Sequence, residues 1–232
     1  MGRLGTLVDT TGIDWEFQPH SKLCDLLATN VVFHYNAYKN DKADKNYEGP
    51  YFYIGGAGTG KSRHGTEFAS SLRKAIELRL STSPGTALYH ELAQRLENAF
   101  AFHVSFENGT PFRHEEDRDP MNAIGIRMLH QLLGGDIQTL RDKYVASPSA
   151  IFELIAVTKN VDLYDDFTGI LVIDGAHQAR KSSTEGSDKE SAFLLISGGY
   201  WYFKSEVANG FRSSRPSSCQ RRILLGIITI LR

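Results

Sequence analysis

The stretch Tyr51-Phe-Tyr-Ile-Gly-Gly-Ala-Gly-Thr-Gly-Lys-Ser62 decides the reading of this chain. Residues Gly55 to Ser62 fit G-x-x-x-x-G-K-[ST], the Walker A pattern, without a gap. An apolar strand, Tyr51 to Ile54, precedes the loop, and a helix-compatible run follows it. Strand, glycine-rich loop and helix together make a phosphate cradle. Glycines let the backbone wrap close to an anion, and successive N–H groups point inward. The loop Gly55, Gly56, Ala57, Gly58, Thr59 and Gly60 is therefore expected to hold phosphates, with Arg63 directly after it. Lys61 is expected to reach the β- and γ-phosphates, and the Ser62 hydroxyl to join a Mg²⁺ shell.

A phosphate loop needs a partner acid for the metal. Ile170-Leu-Val-Ile-Asp174 supplies four β-formers ending in a carboxylate. In a buried parallel strand that acid falls at the C-terminal edge of the sheet, where ligands of such sheets bind. Ser62 and Asp174 are thus the expected metal ligands. Lys61 and Asp174 lie 113 positions apart, with the apolar run Ala101 to Phe106 between them. The spacing fits the NTPase division with an extra strand between the Walker A and Walker B strands. A glutamate usually follows the aspartate there and polarises the attacking water. Here Gly175 follows. His177 or Gln178 could orient a water, as a glutamine does in small GTPases, or both are polar residues of a turn. Arg127, Arg63 and Arg141 are candidates for a transition-state cation. Glu115, Glu116 and Asp117 read as a solvated acidic loop.

Strands alternating with helices predict an α/β fold. The expectation is a three-layer P-loop NTPase with a mainly parallel sheet, the extra strand, and an incomplete C-terminal portion at 179–232. Residues 1–48 read as a helical lead and linker, with a stripe at Leu23, Leu26, Leu27, Val31 and Tyr35. Residues 49–232 read as the core. Phe68, Leu72, Ile76 and Leu80 mark one helix, and Ser83-Pro84 starts a second through Leu88, Leu92, Leu96 and Phe100. Asp119-Pro120 opens a helix that Gly134-Gly135 stops. Two more helices fall at Ile137 to Tyr144 and Ser149 to Thr158. Ile223 to Leu231 reads as a further strand, with Thr229 a candidate polar sensor. At a free end such a strand would invite aggregation.

At 232 residues the chain can bury a full core. A net charge of −1 gives no overall field to attract nucleic acid or anionic membrane. The two cysteines, Cys24 and Cys219, build neither a disulfide framework nor a zinc site. No stretch reaches the apolar length of a membrane span, and no secretory signal opens the chain, so the default location is cytoplasmic. Met1 to Thr6 fits a myristoylation pattern, but a single acyl chain anchors only marginally. Asn108-Gly-Thr110 fits a glycosylation sequon and reads better as a strand-end turn. Arg212, Arg215, Arg221 and Arg222 form a basic loop that could touch nucleic acid backbone, with a solvated loop the simpler reading.

The phosphate-loop segment, then Val104-Ser-Phe-Glu-Asn-Gly-Thr-Pro111, Ile124-Gly-Ile-Arg-Met-Leu129 and Leu171-Val-Ile-Asp174, resembles the NTPase domain of Crinkler-type effectors over residues 50–180. The resemblance implies an ATPase-like module, often coupled to a nuclease-like domain, in proteins delivered into host cells and frequently to nuclei. No Crinkler-type delivery header is evident, and nothing resembles a complete nuclease domain. The expected activity is Mg²⁺-dependent binding and hydrolysis of a nucleoside triphosphate, with ATP the commoner choice and a protein partner or missing C-terminal domain expected. The rivals are a nucleotide-gated interaction switch with little turnover, and an effector acting on nucleic acid.

Overall fold

A computed structural model describes residues 21–40, 51–54, 59–82, 87–107, 110–111, 113, 119–161, 167–176, 178 and 224–231. Four strands, β1 (Tyr51–Ile54), β2 (Phe100–Ser105), β3 (Thr168–Asp174) and β4 (Leu224–Leu231), form one sheet. Its order is β1-β4-β3-β2, and every pairing is parallel. Seven helices accompany it among the described residues: α1 (Ser21–Lys39), α2 (Lys61–Thr66), α3 (Phe68–Thr82), α4 (Ala87–Glu97), α5 (Pro120–Leu133), α6 (Ile137–Lys143) and α7 (Pro148–Lys159).

The alternation of side chains along a strand divides the core in two. Leu171 and Ile173 of β3, with Phe102 and Val104 of β2, pack against α5 and α7. Ile170 and Val172 pack on the opposite face against α1, α3 and α4. β3 is buried along its whole length, as a strand covered on both faces must be. Phe152 of α7 meets Phe102 and Phe167 edge-on at 5.6 Å. Each such pair adds about 0.5–1.5 kcal/mol beyond burial.

α1, assigned to a lead segment by the sequence reading, shares this second cluster: Leu27, Ala28 and Tyr35 are buried with Leu72, Ile76 and Leu92. Leu26, also in the expected stripe, is exposed. The helix marked by Phe68, Leu72, Ile76 and Leu80 is α3, and the helix-compatible run directly after the glycine-rich loop is the separate short α2, which ends before Glu67. Phe100, expected on a helix, opens β2 and stacks on Phe167 at 6.0 Å. Helix α4 has ended at Glu97, so the four-residue spacing of Leu92, Leu96 and Phe100 outruns the helix. The start expected at Ser83-Pro84 lies outside the described residues.

The caps follow the sequence. Asp119 accepts from the Met121 amide at 2.9 Å with Pro120 in the first turn of α5, and Gly134 closes that helix at φ 70°. β4 is no free edge: it pairs with β1 on one side and β3 on the other.

Candidate functional site

Of the phosphate loop, Gly55, Gly56, Ala57 and Gly58 lie outside the described residues, and so does His177. Thr59 to Arg63 are described. Gly60 has φ 76° and leads into α2. Lys61 is buried, and its Nζ donates to Thr59 Oγ1 at 3.2 Å. Arg63 pairs with Glu67 one turn on, at 3.3 Å. The short α2 packs against β3 and β4.

β2 and β3 pair with His103 opposite Val172 and Ser105 opposite Asp174. The polar residues of β2 therefore share one face with Asp174, while Phe102 and Val104 share the other with Leu171 and Ile173. Asp174 is 2% exposed. Among the described residues its Oδ2 has no hydrogen-bond partner, and neither has His103 Nε2, 3.9 Å away. A contact chain runs from this carboxylate back to the turn bearing Lys61 and Ser62. Thr66 Oγ1 donates to the Ser62 carbonyl at 3.0 Å and lies 3.0 Å from His103 Nδ1. Because the threonine proton goes to Ser62, the pattern assigns the imidazole proton to Nδ1. The neutral ring then turns the lone pair of Nε2 toward Asp174. Burial lowers the His103 pKa, and the Asp174 charge opposes that shift only in part.

Two buried acceptors facing each other make a site suited to a cation or a donated proton. Of the two, only the carboxylate oxygen fits the donor chemistry expected for Mg²⁺, which takes carboxylate, hydroxyl and phosphate oxygens rather than an imidazole. Among the described residues no group of three or more His, Cys, Asp or Glu could hold a metal by itself.

The structure puts the remaining candidates elsewhere or in other company. Arg127 is fully buried on α5, and its guanidinium donates to the carbonyls of Thr110, Pro111 and Ala123 at 2.8–3.2 Å. It also lies 4.5 Å over the Phe106 ring. These contacts tie the side chain to the segment after β2. Arg141 lines a cleft of about 320 Å³ with Thr110, Pro111, Arg113, Asp136, Ile137 and Gln138. Gln178 lies beside Asp174's loop: its amide N–H donates to the Gly175 carbonyl at 2.8 Å, and its Nε2 to Glu107 Oε1 at 3.4 Å. Thr229 of β4 is in register with Phe52 and Ile173. Glu115, Glu116, Asp117 and the basic residues Arg212, Arg215, Arg221 and Arg222 lie outside the described residues.

Sequence reading missed His103, Thr66 and Glu107. The signal was present in β2: polar residues at 103 and 105 alternate with apolar ones at 102, 104 and 106. A strand buried in apolar packing on both faces would not show that alternation.

The chain is similar to Crinkler effectors. The relative is Crinkler effector protein 108 of Phytophthora sojae, 28% identical over 193 residues, which cover 78% of this chain and 22% of that protein. The chain thus spans about a fifth of the relative's length. No family model matches the chain, and no solved structure matches it at a significant level. Among the described residues no helix is long and apolar enough to cross a membrane.

Proposed function

We propose that this chain is a P-loop module that binds Mg²⁺ and a nucleoside triphosphate, with ATP the preferred substrate, and hydrolyses it as part of a Crinkler-like effector acting in host cells. The observation that carries this reading is the Asp174 carboxylate. It is buried at the C-terminal end of a parallel strand with one oxygen unbonded among the described residues, and it connects through His103 and Thr66 to the turn bearing Lys61 and Ser62. An unsatisfied buried acceptor costs at least about 1–3 kcal/mol, and a divalent cation offsets that cost.

In this reading Ser62 and Asp174 hold the ion, and the amides of residues 55–60 grip the phosphates. Mg²⁺, when bound, neutralises charge on the β- and γ-phosphates. The Lys61 ammonium stabilises charge on the transferred phosphoryl group. Support also comes from the sheet. β4 lies between the strand leading to the phosphate loop and the strand ending in Asp174. Thr229 sits one register position from the pair that Asp174 makes with Ile230.

Calorimetric titration with Mg-ATP and a non-hydrolysable analogue tests the assignment. Lys61→Ala abolishes binding. Asp174→Asn keeps weak nucleotide binding and loses its dependence on Mg²⁺. Unchanged affinity in Lys61→Ala sinks the reading. Gly175, in place of a carboxylate, favours a second reading: a nucleotide-gated switch that binds without turnover. Single-turnover phosphate release separates the two, because a switch releases phosphate no faster than Lys61→Ala.

A further inference from the structure

Gly175 stands where a water-polarising carboxylate was expected, and its surroundings show where a carboxylate is instead. A β-carbon built on Gly175 would lie 2.5 Å from Cγ, 3.1 Å from Cδ and 3.4 Å from Oε1 of Glu107. The side-chain arm of Glu107 therefore fills the space that a side chain after Asp174 would enter. Gly175 also has φ 74°, a conformation that side chains other than glycine's adopt at a cost.

Glu107 arrives from β2 and is fixed there. The ladder continues past the end of the strands, with the Phe106 amide donating to the Asp174 carbonyl at 2.9 Å. The Glu107 amide donates to Ser105 Oγ at 3.1 Å, and Thr110 Oγ1 to the Ser105 carbonyl at 2.8 Å. Gln178 Nε2 holds Glu107 Oε1 at 3.4 Å. The carboxylate is thus anchored at the C-terminal edge of the sheet, next to the strand whose Asp174 Oδ2 is buried without a hydrogen-bond partner among the described residues. Ligands of parallel sheets bind at that edge.

We propose that Glu107 is the group that activates water for hydrolysis, delivered from the neighbouring strand, with Gln178 as its positioning residue. The inference rests on the nucleotide-binding reading above. The water oxygen bonds to the γ-phosphorus while the bond from that phosphorus to the β,γ-bridging oxygen breaks. The diphosphate leaves with the electron pair, and Glu107 takes the proton of the attacking water. That proton then passes to solvent, which returns the carboxylate to its starting state. Gly175 is the complement of this arrangement: a side chain there would push Glu107 out of place.

The test compares wild type with Glu107→Gln, Gly175→Ala and Gln178→Ala in the full chain, measuring Mg-nucleotide affinity, single-turnover phosphate release and the urea midpoint. Glu107→Gln is expected to keep affinity and midpoint and to release phosphate about a hundredfold more slowly or worse, the usual loss on removing a positioned base. Gly175→Ala is expected to lose turnover with binding retained, and Gln178→Ala to fall between that variant and wild type. Release from Glu107→Gln at the wild-type rate overturns the inference and leaves the nucleotide site standing. So does a wild type that binds without turnover, or a rate loss matched by equal losses of affinity and stability. A wild type that binds no nucleotide overturns the parent reading itself.

Discussion

Replacing Arg127 by methionine removes a buried guanidinium while keeping much of its volume. Among the described residues four donations are lost: Nε and Nη2 to the Thr110 carbonyl, Nη2 to the Pro111 carbonyl and Nη1 to the Ala123 carbonyl. They do not count equally. Pro111 is exposed, so water can replace the lost donor. Thr110 is 3% exposed and loses two donors at once. Stranding a buried carbonyl costs about 1–3 kcal/mol, and losing a desolvated cation over the Phe106 ring adds about 1–2 kcal/mol. Relief of the guanidinium's own desolvation works in the other direction. The net expectation is a loss of about 2–4 kcal/mol. With a urea slope of about 2 kcal/mol per molar, the unfolding midpoint falls by about 1–2 M. Arg127→Lys should lie close to Arg127→Met, because an ammonium cannot reproduce the fork. A midpoint within about 0.3 M of wild type, combined with slowed phosphate release, would refute the clamp and return Arg127 to the phosphates.

Gly125 of α5 faces the backbone of the α6–α7 connection, and a β-carbon there would overlap the Ala146 carbonyl. Gly125→Ala should therefore cost about 1–3 kcal/mol or more by chemical denaturation, since backbone must move. Phe152→Leu should cost about 1–2 kcal/mol by the same assay, from two lost ring contacts and a small cavity. Burial lowers the His103 pKa in the folded chain. The unfolded chain then binds more protons, so this residue's contribution to stability is present above the ordinary histidine value near 6.5 and is lost as pH falls below it. His103→Gln should flatten the urea midpoint between pH 7 and 5.5, and an unchanged pH slope would contradict the buried neutral ring.

The sequence made the local elements readable because their determinants are local. Runs of β-formers mark β1, β2 and β3, and Asp119-Pro120 with Gly134 brackets α5. Phe100 misled because spacing alone does not say where a helix stops. The sheet order could not be read from the chain, since no local signal says that β4 inserts between β1 and β3. The same limit divides the candidate site. Lys61, Ser62 and Asp174 belong to contiguous motifs. Glu107 and His103 become neighbours of Asp174 only through the β2–β3 register, a long-range fact. Arg127 resembles a solvated helical arginine until the carbonyls of Thr110 and Pro111 are seen turned toward it.

The position of β4 bears on how the chain is made. β1 acquires its partner strand only about 170 residues after it has been synthesised. At about 5–20 residues per second, the ribosome spends on the order of ten to thirty seconds on that interval. For all of it, the strand leading to the glycine-rich loop waits without the one neighbour it has among the described residues. A nascent chain stopped between residues 175 and 223 would carry both halves of the proposed site but lack the strand that lies between β1 and β3.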